Sequence, residues 1–357
     1  MAEVMQPLRL GIVGIGNISG IYLKNLSAFD ETEIVSVADL DVSRAEKAAS
    51  EYGIAKAVTP DQLLADPEVE LVLNLTVPKA HYSVNKAALE AGKHVYAEKP
   101  FCSKRSEALE LVELAKQKGL LLGGAPDTFL GGSHQEARKL IDSGAIGRVI
   151  GGHAAMMCRG HESWHPSPEF YYEAGGGPML DMGPYYVTAL VNMLGPVAKV
   201  AALTAKSFAE RTITSEPKKG KVVPVEAYTH YTAILQFASG ALVEVTQSFD
   251  VSAHQMPPIM LYGELGSISV PDPNGFGGEL KTSNARDWDD REVSGFLENG
   301  RGLGVRDMAY AIRTGSHHRA SGDLCLHVLD IMEACVESSE SGRHIELTTT
   351  VERPQPV

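Results

Sequence analysis

Positive charge, cysteine and long apolar segments are all scarce in this sequence of 357 residues. The chain carries 32 lysines and arginines against 45 aspartates and glutamates, so its formal net charge is −13. Nucleic acids and anionic membrane surfaces bind clustered cations, and no such cluster stands out, so neither is expected as a partner. The four cysteines are scattered and form no C-x-x-C pair, which favours reduced thiols over a disulfide framework.

The sequence also lacks an apolar segment near the roughly 18 residues that span a bilayer. Its start, Met1 to Gly11, has neither the basic region nor the long apolar stretch of a secretory signal. We therefore expect a cytoplasmic protein. At about 150 residues per domain, the length predicts two domains, each large enough to bury a core.

The first part of the chain alternates between two patterns. Buried-strand patterns at 8–14, 33–39, 71–76 and 94–97 are separated by helical patterns, which predicts βαβ units and a parallel sheet. Two capping boxes, Ser43 to Glu46 and Thr59 to Gln62, mark predicted helix starts. The sequence therefore predicts a doubly wound Rossmann domain of the α/β class over residues 1–124.

The pattern changes after about residue 124. Longer strand-like stretches lie between 148 and 262 and are joined by glycine-containing turns, which favours antiparallel pairing. Two helical patterns follow, near 305–313 and 324–338. We expect residues 125–357 to form an α+β domain, with an open, mostly antiparallel sheet and helices, that serves substrate binding and oligomerisation.

A glycine turn stands between the first predicted strand and the first predicted helix. Gly14 and Gly16 permit a tight turn and a close approach of pyrophosphate, and the amides near Asn17 and Ile18 supply donors at a helix start. The third glycine of G-x-G-x-x-G is a serine here. Asp39 ends the second strand, where a carboxylate accepts bonds from a ribose and repels a 2′-phosphate. This pattern predicts NAD rather than NADP; the alternative is a structural turn that Asp39 caps.

Three motifs carry a resemblance to a known family. They are Asn74 to Pro78 with His81, the A-G-K-H-V-x-x-E-K-P block that ends at Pro100, and the glycine-rich run from Gly175 to Gly183. With them, the sequence resembles the glucose–fructose oxidoreductase, inositol dehydrogenase and rhizopine-catabolism (Gfo/Idh/MocA) family over almost its whole length. Beyond the glycine turn and Asp39, the resemblance implies nicotinamide-cofactor contacts at Thr76, Pro78, His81, Glu98 and Lys99.

The same resemblance implies that Lys99 and Asp181 lie in the active site, together with the residue four after the aspartate. Many members have histidine there, whereas this chain has Tyr185, as in the branch that resembles glucose–fructose oxidoreductase and dihydrodiol dehydrogenase. A free phenol with a pKa of about 10 is a poor base at neutral pH, but a nearby ammonium stabilises the phenolate. We expect all three residues to be catalytic and to contact substrate, with Tyr185 moving the proton.

Each of these residues has a structural alternative. Lys99 would then be a surface lysine, Asp181 the cap of a helix beginning at Met182, and Tyr185 a core aromatic. For His81, orienting a loop or capping its helix is favoured over chemistry.

A segment before the glycine-rich run is the predicted substrate wall. The indole of Trp164 suits the apolar face of a sugar, and His165 can bond a hydroxyl; packing and a solvated loop are the alternatives. Cys158, His161 and His165 have a spacing that suggests zinc, but no fourth ligand is evident, so no metal is expected.

The sequence therefore predicts an NAD-dependent oxidoreductase that acts on a sugar, polyol or related cyclic alcohol. One alternative is an NADP-dependent carbonyl or sugar oxidoreductase with a tightly bound cofactor. Another is a dinucleotide-binding sensor without turnover. By resemblance, the partner is a second copy of the chain, in a homodimer or homotetramer.

Overall fold

The computed structural model describes residues 5–284 and 286–357, and within them the chain forms two compact units. The first unit holds the residues up to Leu130 and the segment Asn299–Leu329. The second holds Gly131–Glu298 and Asp330–Val357. The predicted domain boundary assigns all of 125–357 to one domain, whereas Asn299–Leu329 belongs to the first compact unit.

The regular elements are numbered in chain order. The strands are β1 Leu8–Val13, β2 Thr32–Ala38, β3 Lys56–Val58, β4 Leu71–Asn74, β5 His94–Ala97, β6 Leu122–Gly124, β7 Val149–Met157, β8 Val197–Ala205, β9 Glu210–Thr212, β10 Val222–Pro224, β11 His230–Phe237, β12 Leu242–Ser248, β13 Ile259–Gly263, β14 Ser267–Val270, β15 Lys281–Ser283, β16 Trp288–Asp290 and β17 Ile345–Glu346. The α-helices are α1 Ser19–Leu26, α2 Val42–Tyr52, α3 Pro60–Ala65, α4 Pro78–Glu90, α5 Arg105–Lys118, α6 Gly132–Asp142, α7 Pro178–Asp181, α8 Gly183–Leu194, α9 Leu303–Thr314 and α10 Gly322–Ser341. Short 3₁₀ helices lie at Thr128–Leu130 and Pro168–Tyr171.

The first unit is built on a parallel sheet, as predicted. Its strand order is β3-β2-β1-β4-β5-β6, and each neighbouring pair is parallel. Strand order reverses beside β1, between β2 and β4, and ligands of such sheets bind at the carboxyl ends of the strands near that reversal. The sheet centre is apolar: Leu8, Leu10 and Ile12 of β1 are fully buried. This burial explains the near-continuous apolar run that marks β1 in the sequence.

Helix starts in the first unit follow the capping residues, with one correction. Thr59 caps α3 in a complete capping box, since its side chain accepts from the amide of Gln62 while the Gln62 side chain accepts from the amide of Thr59. The predicted box at Ser43 is wrong: Asp41 is the N-cap of α2, and Ser43 donates to its carboxylate. An aspartate two residues upstream already satisfies the helix start.

The second unit is dominated by a large mixed sheet. Its strand order is β16-β15-β14-β13-β7-β12-β11-β8-β17. The pair β12 and β7 is parallel, and the other described pairs of this sheet are antiparallel. The predicted, mostly antiparallel sheet is confirmed. A separate pair, β9 and β10, forms a short hairpin beside the segment that contains Trp164.

The start of helix α6 differs from the sequence prediction. The sequence Ser133 to Glu136 has the form of a capping box and predicts a helix start at Ser133. Ser133 instead lies inside the helix, which begins after Gly131, and its hydroxyl donates to the carbonyl of Gly278 at 2.9 Å. Among the helices of the described residues, none is long and apolar enough to cross a bilayer.

Candidate functional site

The glycine turn of the first unit is shaped as a tight connection that leaves room outside it. Gly14 has φ +98°, and a Cβ on it would lie 2.7 Å from the amide nitrogen of Thr76, so no other residue fits without strain. Gly16 is exposed, and within the described residues nothing lies within 4 Å of where its Cβ would stand. The backbone at Gly16 is therefore open to a ligand.

The start of α1 follows this turn directly. The hydroxyl of Ser19, at the third motif position, donates to the carbonyl of Gly16 at 2.7 Å and is buried, so serine is accommodated inside the turn. Asn17 is exposed, and Ile18 is the N-cap, with no side chain of the described residues capping the helix. The amide of Ser19 donates to the carbonyl of Gly16 at 3.1 Å, and the N-cap side chain leaves the other amides at this helix start to a ligand.

Asp39 is held by the backbone of two loops. Its Oδ2 accepts from the amide of Ile15 at 2.7 Å, and its Oδ1 accepts from the amide of Asp41 at 2.9 Å. The carboxylate therefore stands at the carboxyl ends of β1 and β2, beside the glycine turn. Asp39 is not a cap of α2, because Asp41 has that role.

The loop after β4 is organised by buried polar side chains. The Oδ1 of Asn74 accepts from the hydroxyl of Thr76 at 2.6 Å, and its Nδ2 donates to Asn85 at 2.8 Å. The ring of His81 lies between two carbonyl oxygens, with Nδ1 at 2.7 Å from Pro100 and Nε2 at 3.0 Å from Thr76. His81 is 1% exposed. Its ring thus joins the loop after β4 to the loop after β5. Pro78 is the exposed first residue of α4.

The loop after β5 carries Lys99. The backbone amide of Glu98 donates to the carbonyl of Asn74 at 2.9 Å, and the amide of Lys99 donates to Glu98 Oε2 at 2.8 Å. Tyr22 of α1 donates its hydroxyl to Glu98 Oε1 at 2.8 Å, and burial, with the Glu98 charge second, raises the pKa of Tyr22 well above its ordinary value. Glu98 is itself buried, and its hydrogen bonds hold the loop that carries Lys99 in place.

These features fit a dinucleotide. An open glycine backbone, uncapped amides at a helix start and an acceptor carboxylate at the end of the next strand are the groups that pyrophosphate and ribose require. The structure brings together, within the first unit, the turn at Gly14 and Gly16 with Asp39 and Thr76, and it ties the Thr76 loop to the Pro100 loop through His81.

In the second unit, Asp181 and Tyr185 stand on either side of a helix break. Asp181 is the last residue of α7, and Tyr185 lies in the first turn of α8, after the junction at Met182. Met182, whose backbone angles are in the right-handed helical region, separates the two helices. Met182 is the N-cap of α8, and its side chain makes no capping hydrogen bond. Tyr185 is 6% exposed.

The predicted wall is an aromatic cluster. Trp164 is 61% exposed and Phe170 is 50% exposed, while His165 packs against both, at 5.3 Å and 5.4 Å between ring centroids. His165 is not simply solvated, since its Nδ1 accepts from the amide of Ser167 at 3.0 Å. Burial lowers the pKa of His165.

Sequence reasoning missed the residue beside Asp181. His161 Nε2 lies 3.6 Å from Asp181 Oδ2, and the His161 ring packs at 4.1 Å from Tyr171 and 4.5 Å from Phe249. No local pattern signals this contact, because His161 and Asp181 are 20 residues apart in the chain. In the sequence, His161 stands out only by a spacing that suggests zinc. In the described part of the chain, no group of three or more His, Cys, Asp or Glu side chains is arranged to hold a metal.

A network beneath the aromatic cluster holds this segment in place. Arg211 of β9 donates to Glu162 Oε1 at 3.0 Å and also pairs with Asp250, and Tyr172 donates its hydroxyl to Glu162. The 213–221 loop adds two ion pairs, because Lys218 and Lys221 both contact Glu169.

These lysines belong to the short basic stretch Pro217-Lys-Lys-Gly-Lys221, which the sequence predicts to be an exposed loop and not a binding patch. They hold the pKa of Glu169 at about 2, mainly through the hydrogen bond from Lys218. The basic run is therefore part of the scaffold.

Comparison with known proteins agrees with this geometry. Residues 8–124 match the family model "Oxidoreductase family, NAD-binding Rossmann fold", and residues 134–269 match "GFO/IDH/MocA C-terminal domain". An oxidoreductase from Schizosaccharomyces pombe is 25% identical over 96% of this chain and 100% of its own. Myo-inositol 2-dehydrogenase from Thermotoga maritima is 24% identical over 73% of this chain and 74% of its own.

Solved structures share the fold. Aldose-aldose oxidoreductase from Caulobacter crescentus, complexed with glycerol, superposes with a TM-score of 0.79 at 22% identity, over 96% of this chain and 100% of that one. At that identity the likeness concerns the fold alone. The two family matches together cover well over half of the residues, and their domains are those the structure displays. The chain therefore belongs to the GFO/IDH/MocA oxidoreductase family, with an NAD-binding Rossmann domain at its amino end.

Proposed function

We propose that this oxidoreductase is an NAD-dependent dehydrogenase that moves hydride between a neutral sugar, polyol or related cyclic alcohol and nicotinamide. The observation that carries the proposal is the loop after β5. There Lys99 follows a parallel strand of the family's Rossmann domain, on a loop anchored by Glu98 and by the Pro100–His81 contact. The carboxyl end of a parallel strand is where such a domain presents reacting groups. A relative named for inositol chemistry supports the substrate class.

In this proposal the first unit holds the cofactor. The turn at Gly14 and Gly16 and the amides at Asn17 and Ile18 receive the pyrophosphate, and Asp39 accepts from the ribose hydroxyls. The loops that carry Thr76, Pro78, His81, Glu98 and Lys99 line the rest of the site. When bound, the nicotinamide ring supplies the acceptor or donor for hydride.

The protein's own chemistry is the proton transfer. Oxidation of a carbinol carbon requires that its hydroxyl lose a proton, and Tyr185 takes that proton in the proposed reaction. The Lys99 ammonium favours the phenolate and thereby makes the phenol usable near neutral pH. Asp181 accepts a hydrogen bond from a substrate hydroxyl and orients the ring. In the reverse direction Tyr185 returns the proton.

The second unit recognises the substrate. The exposed indole of Trp164 and the neighbouring ring of Phe170 offer the flat apolar surfaces that stack on the C–H face of a sugar. His165 supplies a ring nitrogen for a hydroxyl. The net charge of −13 favours neutral over strongly anionic substrates.

The preference for NAD rests on Asp39. Two backbone amides hold its carboxylate, so the negative charge has little freedom to move away from an incoming 2′-phosphate. An NADP-dependent relative would require a cation at this position.

A panel assay tests the proposal. Neutral sugars, inositols and linear polyols are offered with NAD or NADP, and the absorbance of reduced nicotinamide is followed. We expect at least one cyclic neutral substrate to be oxidised with NAD at a higher kcat/KM than with NADP. Turnover confined to NADP, or confined to acidic sugars, would contradict the cofactor or the substrate assignment respectively.

A further inference from the structure

His161 occupies an unusual environment for a histidine. Its side chain is 13% exposed and packs among three aromatic rings, those of Trp164, Tyr171 and Phe249, at centroid distances of 5.3, 4.1 and 4.5 Å. Within the described residues, its Nε2 is buried and makes no hydrogen bond. The nearest charged atom that it faces is Asp181 Oδ2, at 3.6 Å. A polar nitrogen buried in this way carries a cost unless a partner reaches it in some state of the protein.

The charges around His161 single out Asp181 as that partner. The titratable groups that lie against it are His165 of its own segment, Tyr171 and Tyr172 of the following 3₁₀ region and Asp181 of α7, with Glu162 next to it in the chain.

The network beneath the aromatic cluster holds two more carboxylates, those of Glu162 and Asp250. Glu162 accepts from Tyr172 and from Arg211, and Asp250 accepts from Thr229 at 2.7 Å and also pairs with Arg211. His161 Nε2 is directed at neither. It is directed at the carboxylate that the proposed function places against the substrate.

We infer that His161 is a positioning residue of the substrate site and acts through Asp181. An imidazole N–H directed at Oδ2 restricts the rotation of the carboxylate that the proposed function sets against a substrate hydroxyl. The separation of 3.6 Å is longer than a hydrogen bond, and such contacts commonly shorten when substrate closes the site. This inference rests on the proposed function, because it assigns Asp181 a substrate contact.

The competing explanation is that His161 only fills space among aromatic rings. The two explanations make opposite predictions for two substitutions. His161→Phe keeps a flat ring for Trp164, Tyr171 and Phe249 but removes the N–H. His161→Gln disturbs the ring packing but places an amide N–H close to the position of Nε2.

Steady-state kinetics on the full chain, with the substrate found in the panel, separate the two. If His161 positions Asp181, His161→Phe lowers kcat roughly 10- to 100-fold, the range expected for a lost hydrogen bond to a charged group. His161→Gln recovers most of that loss, and NAD affinity stays unchanged in both. If His161 only packs, His161→Phe is near wild type and His161→Gln is the damaged variant, which would overturn the inference.

Two further proteins complete the design. In the Asp181→Asn background, His161→Phe should lower kcat by no more than about twofold further, because residues that act as a unit are not additive. A full additional loss would mean that His161 acts by another route. His134→Gln is the control: His134 is also a buried histidine of the second unit with a ring nitrogen unpartnered in the described structure, and its Nε2 contact at 3.1 Å to the carbonyl of Gly275 suits an amide. It should leave kcat unchanged.

Thermal unfolding of the same variants separates this inference from the proposed function. If the pair exists, the double variant His161→Phe with Asp181→Asn loses less melting temperature than the two single losses added together. Strict additivity would overturn the pairing even in an active enzyme. If no sugar or polyol is turned over by the wild-type protein, the proposed function fails and the positioning role fails with it, while the melting temperatures still report whether the pair forms.

Discussion

Asp39 illustrates how one side chain serves both the scaffold and the proposed cofactor site. Its two oxygens accept from Ile15 and Asp41, so the carboxylate both shapes the turn and presents charge at the strand ends. Replacing it with alanine would confound these roles. Asparagine keeps an acceptor oxygen for the backbone and removes the charge.

We therefore expect Asp39→Asn to narrow the preference for NAD over NADP by roughly tenfold, since it removes a charge repulsion worth on the order of 1 kcal/mol or more. The measurement is the ratio of Kd values for NAD and NADP by calorimetry. Asp41→Asn is the control, because Asp41 caps α2 and has no proposed ligand contact; its ratio should match that of the wild type. An unchanged ratio in Asp39→Asn would remove Asp39 from cofactor selection.

Residue-level prediction from sequence succeeded where the signal was local. The capping box at Thr59 and the glycine at Gly14 depend on neighbours within a few residues, and the structure has both. The contact between His161 and Asp181 joins residues 20 apart through a fold that no local pattern encodes. The same limit applies to Glu98, whose partner Tyr22 lies on a distant helix.

At the scale of elements, α9 is attached to the first unit by an ion-pair cluster at the amino edge of its sheet. Arg313 donates from two nitrogens to Glu70, at 2.8 and 2.7 Å, and the amide of Arg9 donates to Glu70 at 3.0 Å. The hydrogen bond from Arg313 is the main cause that lowers the pKa of Glu70 to about 2. The cluster explains how a segment from late in the sequence joins the Rossmann unit.

Glu70→Gln should accordingly destabilise the protein at pH 7 by about 1–2 kcal/mol, the worth of a partly exposed charged hydrogen bond. The pKa is lowered in the folded state, so the carboxylate stabilises the fold above its unfolded value near 4.5 and loses that contribution as pH falls towards 2. Urea unfolding at pH 7, 4 and 3 should show that the difference in unfolding free energy between wild type and Glu70→Gln becomes smaller as the pH falls. Glu68→Gln, which removes a surface pair with Lys56, should cost less than about 0.5 kcal/mol. A difference in unfolding free energy between wild type and Glu70→Gln that does not change with pH would contradict this role of Glu70.

The prediction of elements from the sequence failed where pairing with another part of the chain decides whether or how an element forms. Strand β3 is three half-buried residues, Lys56–Val58, too short to show a period, and it exists because β2 pairs with it. The parallel pairing of β7 with β12 joins strands about 90 residues apart. The membership of Asn299–Leu329 in the first unit likewise depends on contacts such as Glu70 to Arg313, which sequence periodicity does not report.

At the scale of the whole molecule, the second unit presents a sheet face with several exposed apolar side chains. Leu203, Ile234, Leu242 and Tyr262 are 73%, 50%, 50% and 40% exposed, and the strand register puts all four on one side, together with the exposed Glu244. Exposed apolar side chains grouped on one face are a feature of association surfaces. We propose that a second copy of the chain covers it.

Light scattering after size exclusion should give two or four times the chain mass of 38.3 kDa. Leu203→Glu should shift the population towards smaller species, because a charge then faces the contact. A wild-type monomer at micromolar concentration would contradict the assembly.

The central claim concerns the proton that Tyr185 moves, with the help of Lys99, in the proposed reaction. Tyr185→Phe removes only a hydroxyl, so folding and NAD affinity should be preserved. Tyr186→Phe is the matched control: Tyr186 is the neighbouring buried tyrosine, and its hydroxyl donates to Asp272 at 3.3 Å.

The most direct measurement is turnover against pH for the wild type, Tyr185→Phe, Lys99→Met and their double variant, with the substrate found in the panel. We predict that Tyr185→Phe lowers kcat roughly 10²- to 10⁴-fold, the usual worth of a positioned proton-transfer group. Lys99→Met should fall at least as far, and the double variant should be little worse than the worse single one. Tyr186→Phe should stay within a few-fold of wild type. Near-normal turnover of Tyr185→Phe with an unchanged pH profile would contradict the account and leave the proton to Lys99 or to a histidine.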